Sequence, residues 1–185
     1  MTFPKTQSKR VLIILLCILL LALFFLLYQR DRRSHSQFRE VLQVYYTYES
    51  EGYDRINDLY AQNGPSAEEL QKIRLLFTEE GWQDYSTDGR TSLAQYWMLV
   101  QESKGRTAVD QIQWGEEERT TSSLGATFAK IPWTAEVAIS YGRSYQTYTC
   151  QGAFFLNSEG KINHIDFYTD EGLWEDLVAF CRENR

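Results

Sequence analysis

Histidine, cysteine and proline are scarce in this chain. Two histidines, three cysteines and three prolines are spread over 185 residues. With only His35 and His164 available, a histidine-rich metal site is excluded. The cysteines are too few for a disulfide framework. Cys17 falls in an apolar run, which leaves Cys150 and Cys181 either as a single bridge or as two small buried apolar residues, and the second reading is preferred. Neither G-x-S-x-G, H-E-x-x-H, C-x-x-C nor G-x-x-x-x-G-K occurs. No catalytic residue, metal or cofactor is therefore assigned from motifs.

Basic residues are also in deficit. Beyond Arg33 there are thirteen Lys and Arg against twenty-four Asp and Glu, a net charge of −11. A surface of that sign argues against nucleic acid as a partner, because phosphate binding needs basic side chains. It also disfavours lying on anionic lipid. The consecutive Glu116, Glu117 and Glu118 point in different directions and read as a solvated charge run, not a calcium site.

Charge, glycine and proline are all missing from "VLIILLCILLLALFFLLY", residues 11–28. As a helix rising ~1.5 Å per residue it would span ~27 Å, close to the ~30 Å hydrocarbon core of a bilayer. It ends in "FFLLYQRDRR", without the small residues of a cleavage site. The segment is expected to be an uncleaved single-pass transmembrane helix that holds the chain in the cell membrane. Lys5, Lys9 and Arg10 before it nearly balance Arg30, Arg32 and Arg33 after it, so orientation rests on the plan of a tiny head and a large following domain, which places that domain extracytoplasmic. The expected organisation is a head at 1–10, the span at 11–28, a basic juxtamembrane segment at 29–36 and one domain at 37–185.

Within that domain, Phe38, Val41, Leu42, Tyr45 and Tyr48 recur at helical spacing, and the stripe is expected to pack on the domain's own sheet. "NGPSAEELQKIRLLFTEEGW" predicts a second helix, with Ser66 and Glu69 as a capping box, Leu70, Ile73 and Phe77 buried, and Gly81 as the stop. After Tyr85 the period changes to two. Strands are predicted at "SLAQYWMLVQ", "TAVDQIQW", "TAEVAISY", "YQTYTCQGAFFL" and "KINHIDFY", with hairpin turns at "ESKG", "GRS" and "NSEG". "GEEERTTSSLGATFAKIP" reads as a long connection. A closing helix presents Leu173, Leu177, Val178 and Cys181. Helices followed by an antiparallel meander predict an α+β domain with helices on one face of a curved sheet.

The stretch "TYTCQGAFFLNSEGKINHIDFYTDE" resembles the last hairpin of the NTF2-like superfamily (nuclear transport factor 2 type, with SnoaL-like cyclases and ketosteroid isomerases). The order of elements is similar over Phe38–Asp170. The resemblance implies a cone-shaped fold with a central cavity, but no single function. A short head, one span and such a domain are similar in plan to VirB8-type scaffold subunits of conjugation and secretion systems. Tyr96, Trp97, Trp114, Tyr141 and Tyr148 are candidates to line a cavity, although large aromatics on half-buried strands fill cores in any case.

His164 and Asp166 are the remaining candidates. On a strand they share a face with Ile162 and Tyr168, opposite Lys161, Asn163, Ile165 and Phe167. Facing inward, the pair would suit acid–base work or ligand binding. Facing outward, it is a polar edge, and its lack of a third partner favours that reading. The functional expectation is a non-catalytic, membrane-anchored NTF2-like module that binds a protein partner or its own copy in a cell-envelope assembly. The alternative is a cavity enzyme or small-ligand binder of the SnoaL or ketosteroid-isomerase kind. Removal of residues 1–33 is expected to leave a soluble, folded, acidic domain. Persistent aggregation of that truncated chain would show that the Phe38–Tyr48 stripe needs an external partner.

Overall fold

The computed structural model describes residues 35–48, 53–121, 127–141, 144–169 and 172–183. The chain divides into two compact units, Met1–Gln37 and Phe38–Arg185, and the architecture below is that of the second. It is α+β, with helices on a curved antiparallel sheet. The expected fold class is corrected in one respect: among the described residues no helix is long and apolar enough to cross a membrane, and residues 11–28 lie outside them.

Residues 35–46 are helical (α1), followed by α2 (Asp54–Leu59), α3 (Glu68–Arg74), α4 (Glu79–Gln83), a π-helical turn (Asp84–Asp88) and α5 (Leu93–Glu102). The sheet is built from β1 (Arg106–Trp114), β2 (Glu118–Thr121), β3 (Thr127–Tyr141), β4 (Ser144–Leu156) and β5 (Ile162–Thr169), and α6 (Leu173–Glu183) closes the chain. The strand order is β1-β3-β4-β5, with β2 also on β3, all antiparallel. The predicted meander of the last three strands is therefore present.

Several local expectations are corrected. "SLAQYWMLVQ" is not a strand but α5. Its buried residues Leu93, Ala94, Tyr96, Trp97 and Val100 follow helical spacing, and its aromatic content had suggested a strand. "ESKG" accordingly joins a helix to β1 and makes no hairpin. Ser66 does not cap α3. Asp58 near the end of α2 accepts from the Ser66 hydroxyl (2.7 Å) and from the Ser66 and Ala67 amides, satisfying the helix start from outside. The long connection after Trp114 contains β2 and the start of β3. Pro132 interrupts nothing there. Its carbonyl accepts from Gly115 on the side where β1 pairing ends at Trp133 and β2 pairing begins at Lys130, so the missing N–H falls in the gap between two partner strands.

The core forms where the inner face of β3 meets α1. Ile131, Trp133, Ala135, Val137 and Ile139 alternate inward along β3, and Phe38, Val41, Leu42, Tyr45 and Tyr46 come down on them from α1. The expected stripe is thus buried against the domain's own sheet, with Tyr48 bridging to Thr107 on β1. Tyr45 lies 4.4 Å from the Phe167 ring and 4.9 Å from Tyr96, and Trp133 meets both Tyr46 and Phe167. Each such ring contributes ~1.5–3 kcal/mol by burial alone. Gly152 faces Trp133 across the ladder. A Cβ there would come within 2.4 Å of the indole and 2.1 Å of the Asp166 carbonyl, so only glycine lets the indole lie flat on β4.

The edge strand β5 is covered at its start. Ile162 donates to the Leu76 carbonyl (2.8 Å) and Thr78 donates to the Ile162 carbonyl (2.9 Å). Thr78 also caps α4 by accepting from Gly81. Gly81 is thus inside α4, not a helix stop, and it presses on β5: an added Cβ would meet the Ile162 and Asn163 carbonyl oxygens at 2.6 and 2.8 Å. Replacing a helical glycine by alanine gains up to ~1 kcal/mol of propensity. A clash with two fixed carbonyls costs ~1–3 kcal/mol. Gly81→Ala is therefore expected to destabilise the domain by about 1 kcal/mol or more, read from the urea midpoint. A stabilised variant would show that α4 is free to move off β5.

Candidate functional site

The site lies where α4 and the π-turn meet the β5 edge. Pairing of β5 with β4 slips between His164, opposite Phe155, and Ile162, opposite Leu156, which leaves Asn163 as the extra residue of a bulge. Strict alternation would have put Ile162 on the same side as His164. The bulge lets Ile162 and Ile165 both turn inward, and both are buried. His164 and Asp166 are left on the outer face, so the outward alternative is the one the structure adopts.

The pair is nevertheless not isolated. His164 Nε2 lies 2.7 Å from Asp166 Oδ1, and its Nδ1 lies 2.9 Å from Asp84 Oδ2. Asp84 is eighty residues away in sequence and begins the π-turn, whose wider winding swings that carboxylate toward β5. No pattern in the sequence marked Asp84. Its acidic surroundings read as helix-end charge, and only the packing of α4 on the bulge brings it to the imidazole. Two shallow clefts share the Asp84–His164 contact as a wall. One, of about 440 Å³, is lined by Glu80, Gln83, Asp88 and Asn163; the other, of about 200 Å³, runs between Gly89–Thr91 and Ile165–Phe167.

This array differs from a catalytic triad. In a triad one imidazole nitrogen is held by a carboxylate and the other faces the nucleophile. Here both nitrogens face carboxylates, so the ring is engaged on either side. The two carboxylates also sit on opposite sides of the ring and do not converge on a common ion. Among the described residues no cluster of His, Cys, Asp or Glu is arranged to hold a metal. The His164 side chain is 46% exposed, so each contact has the modest strength of a surface ion pair, about 0–1 kcal/mol.

The other candidates are scattered over the fold. Tyr96 and Trp97 lie on α5 in the core, Tyr96 against Tyr45 and Trp97 against Tyr48, with the Arg55 guanidinium 4.7 Å from the Trp97 ring centroid. Trp114 ends β1, half-buried near Phe154. Tyr141 stacks on Phe180 of α6, and the Tyr148 hydroxyl meets Asp176 of the same helix and Gln146 of its own strand. These two tyrosines clamp α6 to the sheet and do not join His164. Cys150 and Cys181 are buried thiols, Cys181 directed at the Leu99 carbonyl.

No family model matches the chain, and no curated protein matches it.

Burial governs the tyrosine chemistry. It pushes the Tyr141 hydroxyl from 10.0 up to about 12, partly offset by the neighbouring Ser103 hydroxyl. It raises Tyr148 as well, with Asp176 adding to the effect, and it raises Tyr85, which is wholly enclosed and donates to the Val41 carbonyl. A phenol raised in the folded state holds its proton while the unfolded chain releases it. The stability it contributes is complete below pH ~10 and falls as pH rises toward 12. The tyrosinate absorbance of these buried tyrosines is therefore expected to appear above pH ~11 together with unfolding, and Tyr141→Phe is expected to flatten the alkaline loss. Ionisation of all tyrosines near pH 10 without unfolding would contradict the packing described.

Proposed function

We propose that the domain is a non-catalytic, protein-binding or scaffold module of the NTF2-like kind, working within a cell-envelope assembly. The observation that supports this reading is the filling of the sheet's inner face. Tyr45, Tyr46, Tyr96, Trp133 and Phe167 lie ring to ring, 4.4–6.3 Å apart, on the inner face where the superfamily resemblance implies a central cavity. A close-packed aromatic layer leaves a ligand little volume and costs several kcal/mol to open. Of the clefts around His164, the one of about 440 Å³ is lined by polar side chains, and the one of about 200 Å³ reaches the layer only at Phe167.

Large side chains on the outer surface suit contact with a macromolecule. Tyr53, Tyr60, Leu75 and Tyr145 are all more than half exposed, and aromatic residues are enriched at protein interfaces. The acidic balance of the domain favours a partner with a basic surface over nucleic acid.

His164→Ala and Asp166→Asn are expected to fold, to unfold within about 1 kcal/mol of the parent and to keep the cellular role. Apolar ligands of steroid or polyketide size are expected to leave the melting temperature unchanged. If both variants fold normally and both abolish the role, or if such a ligand raises the melting temperature at micromolar concentration, the scaffold reading is replaced by the cavity-enzyme one.

A further inference from the structure

The Asp84–His164–Asp166 array joins two elements that are otherwise only partly bonded. Among the described residues, the last backbone hydrogen bond between this covering segment and β5 is from Thr78 to the Ile162 carbonyl. Further along, the cleft of about 200 Å³ separates Gly89–Thr91 from Ile165–Phe167. In that region the side-chain contact from Asp84 to His164 spans the gap. The segment is also held from the core side, where Tyr85 donates to the Val41 carbonyl and Tyr45 to the Thr91 carbonyl, so the imidazole is its side-chain link to the β5 edge itself.

The donor count of that imidazole is decisive. Carboxylates only accept. Two contacts of 2.9 and 2.7 Å to carboxylate oxygens are both hydrogen bonds only when the ring carries N–H on both nitrogens. A neutral ring has one N–H and turns a lone pair toward the other carboxylate. The shorter contact is to Asp166, two residues along the same strand, and is kept by local geometry. The contact to Asp84 is the one given up. We propose that His164 is a pH-operated latch. As the cation it pins the π-turn to β5. On losing one proton to solvent it releases Asp84, merges the two clefts and uncovers the sheet edge at Ile165–Phe167.

Asp84 of the π-turn and Asp166 of β5 touch the ring, Glu80 of α4 and Asp88 of the π-turn line the same cleft, and the cations facing this region are Arg90 in the following loop and Lys130 on β3, two strands away in the same row. Phe155, directly opposite on β4, contributes only its ring face. Carboxylates thus outnumber cations around the imidazole.

The test is hydrogen exchange on the full chain, expressed as protection after correction for intrinsic exchange, between about pH 5 and pH 8 where an imidazole can change charge. Protection of residues 83–91 and 163–167 is expected to fall by up to about fivefold as pH rises, in keeping with the modest strength of one exposed contact. Protection of β3 and β4 should stay level. His164→Gln, which does not titrate, and Asp84→Asn should each abolish the pH dependence. Equal protection across the range in the parent chain, or an unchanged slope in His164→Gln, overturns the proposal. Should the variants fail to fold, nitrogen-15 shifts of the His164 ring in the parent chain decide: two protonated nitrogens at the acid end, changing together with the protection, are expected. A ring whose charge state does not track the protection overturns it.

Discussion

The seating of the Trp133 indole on Gly152 is the contact on which the rest of the domain depends. It holds β4 flat under a bulky ring and sets the depth at which Tyr46 and Phe167 meet that ring. Phe167 in turn stacks on Tyr45, and Tyr45 on Tyr96, so α1, α5 and β5 are all positioned from this one place. In an interior packed to crystal density, rings of this size leave few alternative arrangements. The domain is organised by what occupies the inner face of its sheet.

The β5 edge follows from the same packing. With Phe167 and Ile165 drawn inward, the extra residue Asn163 also lets Ile162 face the core. That bulge brings the strand's carbonyls against α4 so closely that only Gly81 fits. The π-turn beginning at Asp84 then reaches His164. A strand edge left bare is a template for pairing with other chains, and this one is covered in two ways: backbone bonds at Ile162 and a titratable side-chain contact farther along. The covering is strong at one end and conditional at the other.

Part of this was readable from residue order alone. The α1 stripe, the strands β1, β4 and β5, the closing helix and the tight turn at Asn157–Gly160 all have spacing or turn chemistry that acts over a few residues. α5 departs from the strand expected at a period of two: only Tyr96 and Trp97 have strand-like composition, while the burial of Leu93, Ala94, Tyr96, Trp97 and Val100 obeys a helical period. Ser66 has the right type for a cap but loses to Asp58, whose carboxylate arrives from α2. Such competitions are settled by contacts between segments, to which local propensity contributes only tenths of a kcal/mol up to about one.

Residue order alone determined the acidic balance of the domain, the poverty in catalytic motifs, the α+β plan and the pairing of the last three strands, because composition and short-range periodicity act without reference to distant neighbours. Tertiary structure decided which way His164 faces and what touches it. The direction depends on a one-residue bulge that breaks the period of two, and the second carboxylate comes from a π-turn eighty residues earlier. Both are consequences of how α4 packs against an edge strand, and that packing is an interaction between segments that no local pattern encodes.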